Sequence, residues 1–146
     1  MPIAWTATVA RSFIDTNLLL YCDDRADPHK QQIALQYWTT LRRSGEGVLS
    51  IQVLQEYYRN AVVKIGLEPA FARRRVEQHS RFQVVIPSVA LVLGAIDLTR
   101  LVSVSFWDAL IVEAARSAAC ELLLSEDLQH GQVIAGVRVI NPFLTA

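Results

Sequence analysis

Short apolar runs, too brief for helices and alternating with longer segments of helical period, constrain the fold of this chain more than any other feature. The runs are Phe13-Ile14, Val48-Leu49, and residues 82–87, 121–125 and 136–143. Segment 121–125, ELLLS, is apolar without alternation, as a strand buried on both faces should be. The intervening segments read as helices. One begins after Asp15 with the LLLYC run. A second covers 29–43, with Ile33, Leu35, Tyr37, Trp38 and Leu41 spaced for a surface helix and Gly45 and Gly47 stopping it. Ser50 caps a third over 51–65, which Gly66 ends. Pro69 opens an arginine-rich fourth. Two more follow over 88–101 and, capped by Ser105, over 106–119. Strands alternating with helices predict an α/β fold with a parallel sheet covered on both faces. No repeat, low-complexity tract or linker interrupts the pattern. The expected organisation is a lead-in, 1–11, followed by one domain, 12–146.

The 146 residues are enough to bury a core without disulfides or structural metal. Cys22 and Cys120 are far apart and predict buried free thiols in a reducing cytosol, hence a cytoplasmic protein. The longest apolar stretch, 89–96, falls well short of the roughly 20 residues of a membrane helix. The first ten residues lack the basic start of a secretory signal. His29, His79 and His130 are scattered and form no zinc motif. Net charge is zero, so no global field draws the chain to nucleic acid. Of the fourteen basic residues only Lys30 and Lys64 are lysines, and arginine is the better bidentate phosphate ligand. Arg73, Arg74, Arg75 and Arg81 form either a phosphate-facing patch or a solvated helix face.

Ligand sites in open α/β sheets lie beyond the carboxyl ends of the strands. Asp15 and Asp127 fall at such ends, although each could also be a helix cap. Asp108 shares a helix face with Ile111, Val112, Ala115 and Ala119, whereas Glu113, Arg116 and Ser117 fall on another. A carboxylate on an apolar face must be paired, protonated or bound to a cation. The alternative is a capping box with Ser105. Glu56 sits mid-helix, away from the expected inward stripe of Ile51, Leu54, Tyr58, Ala61, Val62 and Ile65. Carboxylates converging at neighbouring strand ends repel one another and raise their own pKa values. A hard divalent cation, Mg²⁺ or Mn²⁺, relieves that repulsion and can activate water against a phosphate. The pattern for an aspartyl-phosphate enzyme is missing: Thr16-Asn17 follows Asp15, and the Asp23-Asp24 pair lies farther along the helix.

FIDTNLLLY (13–21), SIQVLQEYY (50–58), SFWDALIVEAA (105–115), LLLSEDLQHG (122–131) and VRVINPF (137–143) resemble, in order, the motifs of PIN-domain nucleases, and among them the VapC-like toxins of bacterial toxin–antitoxin pairs. The resemblance covers nearly the whole chain, although the segment ahead of Asp15 is longer than the family's usual lead-in. It implies a Rossmann-like sheet of order 3-2-1-4-5. It implies that Asp15, Glu56, Asp108 and Asp127 are catalytic and bind Mg²⁺ or Mn²⁺, with Asp15 and Asp108 as direct ligands. Asn17 and Ser125 would position water or a phosphate oxygen, and Glu126 could take the place of Asp127. The implied activity is metal-dependent endonucleolytic cleavage of single-stranded RNA by a toxin. The implied partners are a cognate antitoxin and a second copy of the chain. Alternatives are a housekeeping RNA-processing nuclease and a non-catalytic RNA- or partner-binding module. Trp38, Tyr57, Tyr58 and Trp107 could stack on bases or belong to the core.

Overall fold

Two apolar dipeptides, Phe13-Ile14 and Leu123-Leu124, lie side by side with no exposed surface and form the centre of the sheet. The computed structural model describes residues 9–144; residues 1–8, most of the expected lead-in, lie outside them. In chain order the elements are β1 (Ser12–Ile14), α1 (Thr16–Cys22), α2 (Pro28–Ser44), β2 (Gly47–Ser50) and α3 (Ile51–Asn60). A π-helical turn, Ala61–Ile65, extends α3. There follow α4 (Pro69–His79), β3 (Gln83–Val85), α5 (Val89–Leu101), α6 (Phe106–Ser117), β4 (Leu122–Leu124), β5 (Val133–Ile134) and β6 (Val137–Ile140).

The sheet order is β3-β2-β1-β4-β6-β5. The five expected strands, the last of them β6, are parallel and take the expected order. The sequence reading missed β5, which pairs antiparallel with β6 at the edge. Ala135 and Gly136, at φ 51° and 82°, turn the chain between them in the left-handed region. That conformation suits a two-residue hairpin and is costly for alanine. β1 and β2 are buried at every position, which explains why their sequences do not alternate.

Several side chains face other ways than their spacing suggests. On α3 the buried stripe is Val53, Tyr57 and Ala61, and Tyr58 is exposed; the expected stripe through Leu54 and Tyr58 is rotated by about one residue. Leu35 is likewise exposed on α2, where Ala34 is buried instead. α6 ends at Ser117, because Ala119 turns left-handed at φ 57°. Glu113, expected on the polar face of α6, is buried. It pairs with Arg116, whose Nε lies 3.0 Å from Oε2.

The arginine run does not form one patch. Arg73 pairs with Glu77 on the surface, and Arg74 lies over the Phe71 ring. Arg75 is nearly buried against Asp23, 3.1 Å away, and the Tyr57 hydroxyl donates to the same carboxylate at 2.6 Å. The Asp23-Asp24 pair is thereby half consumed in holding α1 to α3 and α4. His79, fully buried at the end of α4, accepts a hydrogen bond at Nδ1 from Trp38 Nε1 at 3.1 Å. Its Nε2 has no hydrogen-bond partner. Burial pushes its pKa down to about 3 and keeps the ring neutral. Cys22 and Cys120 are free and buried, and burial raises their thiols to about 12 and about 11. Among the described residues no single helix is long and apolar enough to cross a membrane.

Glu113 depends on a missing side chain opposite it. A Cβ at Gly94 of α5 would stand 2.5 Å from Glu113 Oε1. Gly94→Ala should therefore displace the buried carboxylate and cost about 1–3 kcal/mol, read as a lower urea midpoint. An unchanged midpoint would show that the α5–α6 contact is looser than described.

Candidate active site

β1 delivers Asp15 to the carboxyl edge of the sheet and α1 begins at the next residue, so this side chain serves two elements. Asp15 Oδ1 accepts from the Thr16 N–H at 2.8 Å, capping α1. Asp15 Oδ2 accepts from Ser125 Oγ at 2.7 Å, across from the end of β4. The cap and the site are one residue, because the end of a central strand is also the start of the helix that leaves it.

The loop after β4 supplies the second acid. Ser125 Oγ accepts from the Asp127 N–H at 3.1 Å, which curls the loop back over the strand end. Asn17 Nδ2 donates to Asp127 Oδ2 at 3.2 Å, and Asn17 Oδ1 accepts from the Glu126 N–H at 3.4 Å. Asn17 and Ser125 thus hold the acids of two loops in register. Asp127 caps no helix, since no helix follows β4.

Neighbouring Glu126 points elsewhere. Its carboxylate accepts from Tyr21 OH at 2.8 Å and from Lys30 Nζ at 2.6 Å. Lys30 also donates to Tyr21 OH at 3.1 Å. The geometry therefore places Asp127, not Glu126, at the cleft.

Glu56 reaches the cleft from α3, because the true buried stripe brings it beside Val53 and Asn60. Thr16 Oγ1 donates to Glu56 Oε1 at 2.8 Å. Asp108 enters from the first turn of α6, where Ser105 Oγ accepts from its N–H at 3.1 Å. Ser105 is the cap, and the Asp108 carboxylate still lines the cleft. All four predicted acids surround one hollow of about 230 Å³. Asn17 lines it too, whereas Ser125 is buried behind Asp15.

The electrostatics follow from crowding and burial. Asp15 is only 5% exposed, and burial pushes its pKa up to about 6. The bonds from Ser125 and Thr16 oppose that rise, and the charges of Asp127 and Glu56 add to it. Burial also raises the Asp108 pKa; Ser105 opposes the rise and Asp127 adds to it.

Four carboxylates line the cleft, and carboxylate oxygens are the hard donors that suit Mg²⁺ or Mn²⁺. Among the described residues no three His, Cys, Asp or Glu side chains stand close enough to hold a metal ion together. The acids ring the cleft rather than building a cage, which fits an ion that keeps waters and takes a few carboxylates. Sequence reasoning missed Thr16, which orients Glu56, and Lys64, which lines the same hollow. The spacing of Gln52, Glu56, Asn60 and Lys64, four residues apart, is the signal that marked that face.

A parallel sheet with acids gathered at its carboxyl edge is what the sequence motifs imply, and the sequence profile of the PIN domain matches residues 12–134. The chain belongs to the PIN-domain family. Its fold is similar to that of VapC20 from Mycobacterium tuberculosis, described as a sarcin–ricin-loop-cleaving toxin. That match has a TM-score of 0.64 and 17% identity over 80% of this chain and 89% of that one. A toxin–antitoxin complex from Klebsiella pneumoniae matches with a TM-score of 0.65 and 20% identity, covering 90% and 98% of the two chains. A DNA-bound VapBC complex from Salmonella typhimurium matches with a TM-score of 0.65 and 17% identity, covering 90% and 97%. No curated protein sequence matches the chain.

Burial of Asp15 and of His79 has opposite consequences for stability in metal-free protein. Asp15 has a raised pKa, so its contribution is complete below about 3.8 and is lost as pH rises through about 6. His79 has a lowered pKa, so its contribution is present above about 6.5 and is lost as pH falls toward about 3. The two oppose each other between about pH 4 and pH 6. Asp15→Asn in EDTA should remove one side of that balance. Its stability should then rise with pH more steeply than the parent's, by up to about 1.4 kcal/mol per pH unit in denaturant titrations. Parallel curves would show that Asp15 ionises as an ordinary carboxylate.

Proposed function

We propose that the protein is a Mg²⁺- or Mn²⁺-dependent endoribonuclease acting in the cytoplasm on single-stranded RNA, and the toxin of a toxin–antitoxin pair. The convergence of Asp15, Glu56, Asp108 and Asp127 on one cleft carries the proposal. Membership of the PIN family and the likeness to VapC structures support it.

Asp15, Asp108 and Asp127 are the residues that would hold the ion, with Glu56 as a further ligand directly or through water. When bound, the ion supplies positive charge against the phosphodiester and acidifies coordinated water. Ser125 fixes the Asp15 carboxylate in one rotamer, and Asn17 does the same for Asp127. Glu56, oriented by Thr16, accepts the proton of the attacking water. The water oxygen adds to phosphorus, the bond to the 3′ oxygen breaks, and that oxygen takes a proton from solvent, so the products carry a 5′-phosphate and a 3′-hydroxyl.

Purified protein free of antitoxin should cleave mixed single-stranded RNA with Mg²⁺ or Mn²⁺ and not with EDTA. Asp108→Asn should lower the rate about a hundredfold or more. Its fold should be intact and, without metal, more stable at pH 7, because the raised pKa marks the ionised carboxylate as unfavourable there. Equal cleavage by the variant would remove Asp108 from the site. Absent cleavage together with absent Mn²⁺ binding would favour the non-catalytic binding module.

Two protein partners belong to the same proposal. The VapBC and other toxin–antitoxin neighbours support an antitoxin partner; a basic side chain of that partner, set among the acids, would block the cleft. A second copy is supported by α5, whose Val89, Leu93 and Ile96 are 77%, 55% and 42% exposed on an apolar helix. Leu93→Glu should convert a dimer to a monomer in sedimentation. If the parent itself sediments as a monomer, the apolar face does not join two copies.

A further inference from the structure

We propose that Trp107 and Lys64 grip single-stranded RNA at the mouth of the acid cleft, Trp107 by stacking on a nucleobase and Lys64 by contacting a backbone phosphate. The proposal rests on the nuclease function above and names the residues that would bind its substrate.

An acid-lined cleft repels a polyanion, so the strand needs holding points at its rim that are neither acidic nor spent elsewhere. Among the described residues Trp107 is the only aromatic one lining the cleft. It immediately precedes Asp108 on the first turn of α6 and is 64% exposed. A tryptophan is usually buried well beyond that, and an exposed ring beside a polar cleft loses apolar burial without an internal gain. The Trp107 carbonyl accepts from Gln52 Nε2 at 3.4 Å, which ties the residue to α3. Among the described residues its aromatic neighbour is Phe106, with centroids 5.3 Å apart at 66°. The other candidate stackers are committed or distant. Tyr57 is buried against His79 and Asp23, Trp38 donates to His79, and Tyr58 lines a separate hollow with Pro69 and Arg73.

Among the described residues Lys64 is the only basic one lining the cleft. Three other cations are engaged: Lys30 with Glu126, Arg75 with Asp23, and Arg116 with Glu113. The π-helical turn, Ala61–Ile65, accounts for its direction. In an α-helix each step of four residues drifts by about 40° around the axis, so Gln52, Glu56 and Asn60 progressively leave a common line. The wider π turn rotates less per residue and swings Lys64 back toward the line of Glu56. Lys64 also lines the adjoining hollow with Leu20, Tyr21 and Ala26, so it stands where a strand would leave the acids. Bases have a stackable face whatever their identity, which makes this a single-strand device rather than a duplex one.

Binding is measured with fluorescently labelled oligouridylate on the Asp108→Asn protein, so that cleavage does not intervene. Trp107→Ala should weaken binding about five- to a hundredfold, and Trp107→Phe should restore most of it. An abasic ribose-phosphate oligomer should be insensitive to Trp107→Ala and still sensitive to Lys64→Gln. Lys64→Gln should also reduce the slope of log affinity against log salt by about 0.7, the value for one phosphate contact on a single strand. Lys64→Arg should restore that slope. Oligouridylate affinity unchanged in both variants would overturn the proposal and assign the exposed ring to a protein partner. Loss of abasic binding in Trp107→Ala would reduce its role to structure and overturn the stacking claim. Parent protein that cleaves RNA while the variants bind normally sinks this inference alone. Parent protein that neither cleaves nor binds RNA sinks the nuclease function as well.

Discussion

The hydrogen bond from Ser125 to Asp15 joins the ends of β1 and β4 at the point where a carboxylate has been taken almost completely out of water. Burying that group costs free energy unless it is hydrogen-bonded, protonated or matched by a cation. Its two oxygens each receive one strong donor, from Thr16 and Ser125, and the pKa still rises. The remaining demand for positive charge organises the surroundings. Thr16 turns Glu56 inward, Asn17 steadies Asp127, and Ser105 starts the helix that carries Asp108. The sheet centre beneath is apolar and without exposed surface, so the acids stand on a floor that cannot relax to hydrate them.

Much of this was legible in the sequence because strand ends and helix starts leave local marks. Asp15 and Asp127 follow apolar runs, and Ser50 and Ser105 sit where caps are needed; the caps are present with their expected bonds. The five parallel strands follow from short apolar runs set between longer segments of helical period. Facing was harder to read. The α3 stripe shifts by one residue because Tyr57, a residue with a polar tip, is buried when Asp23 and Arg75 satisfy its hydroxyl. A purely apolar stripe favours Leu54 and Tyr58 and cannot register that distant pairing. Glu113 was misplaced for a similar reason. Its burial depends on Gly94 in another helix and on its own Arg116, and no window of α6 sequence contains the first of these.

The choice between Glu126 and Asp127 shows the same limit at the site itself. Adjacent acids on a loop are equivalent by composition. Lys30, on α2, and Tyr21, on α1, break the tie by holding Glu126 away. The spare acid becomes a clamp between the β4 loop and the helices, and the arginine run is likewise divided among Glu77, the Phe71 ring and Asp23. Charge of one kind in sequence therefore says little about charge of one kind in space. The zero net charge of the chain conceals a strongly acidic cleft with, among the described residues, a single lysine at its margin.

Both borders of the sheet are short. β3 offers three residues and β5 two, and Arg11 reaches the Gln83 side chain at the β3 border. Unpaired strands of such length present too few free peptide groups to template a foreign strand. Polymerisation by strand addition has little to start from here. Val89, Leu93 and Ile96, three of the exposed apolar side chains, stand on α5, where contact with another molecule is made through side chains and not through an added strand.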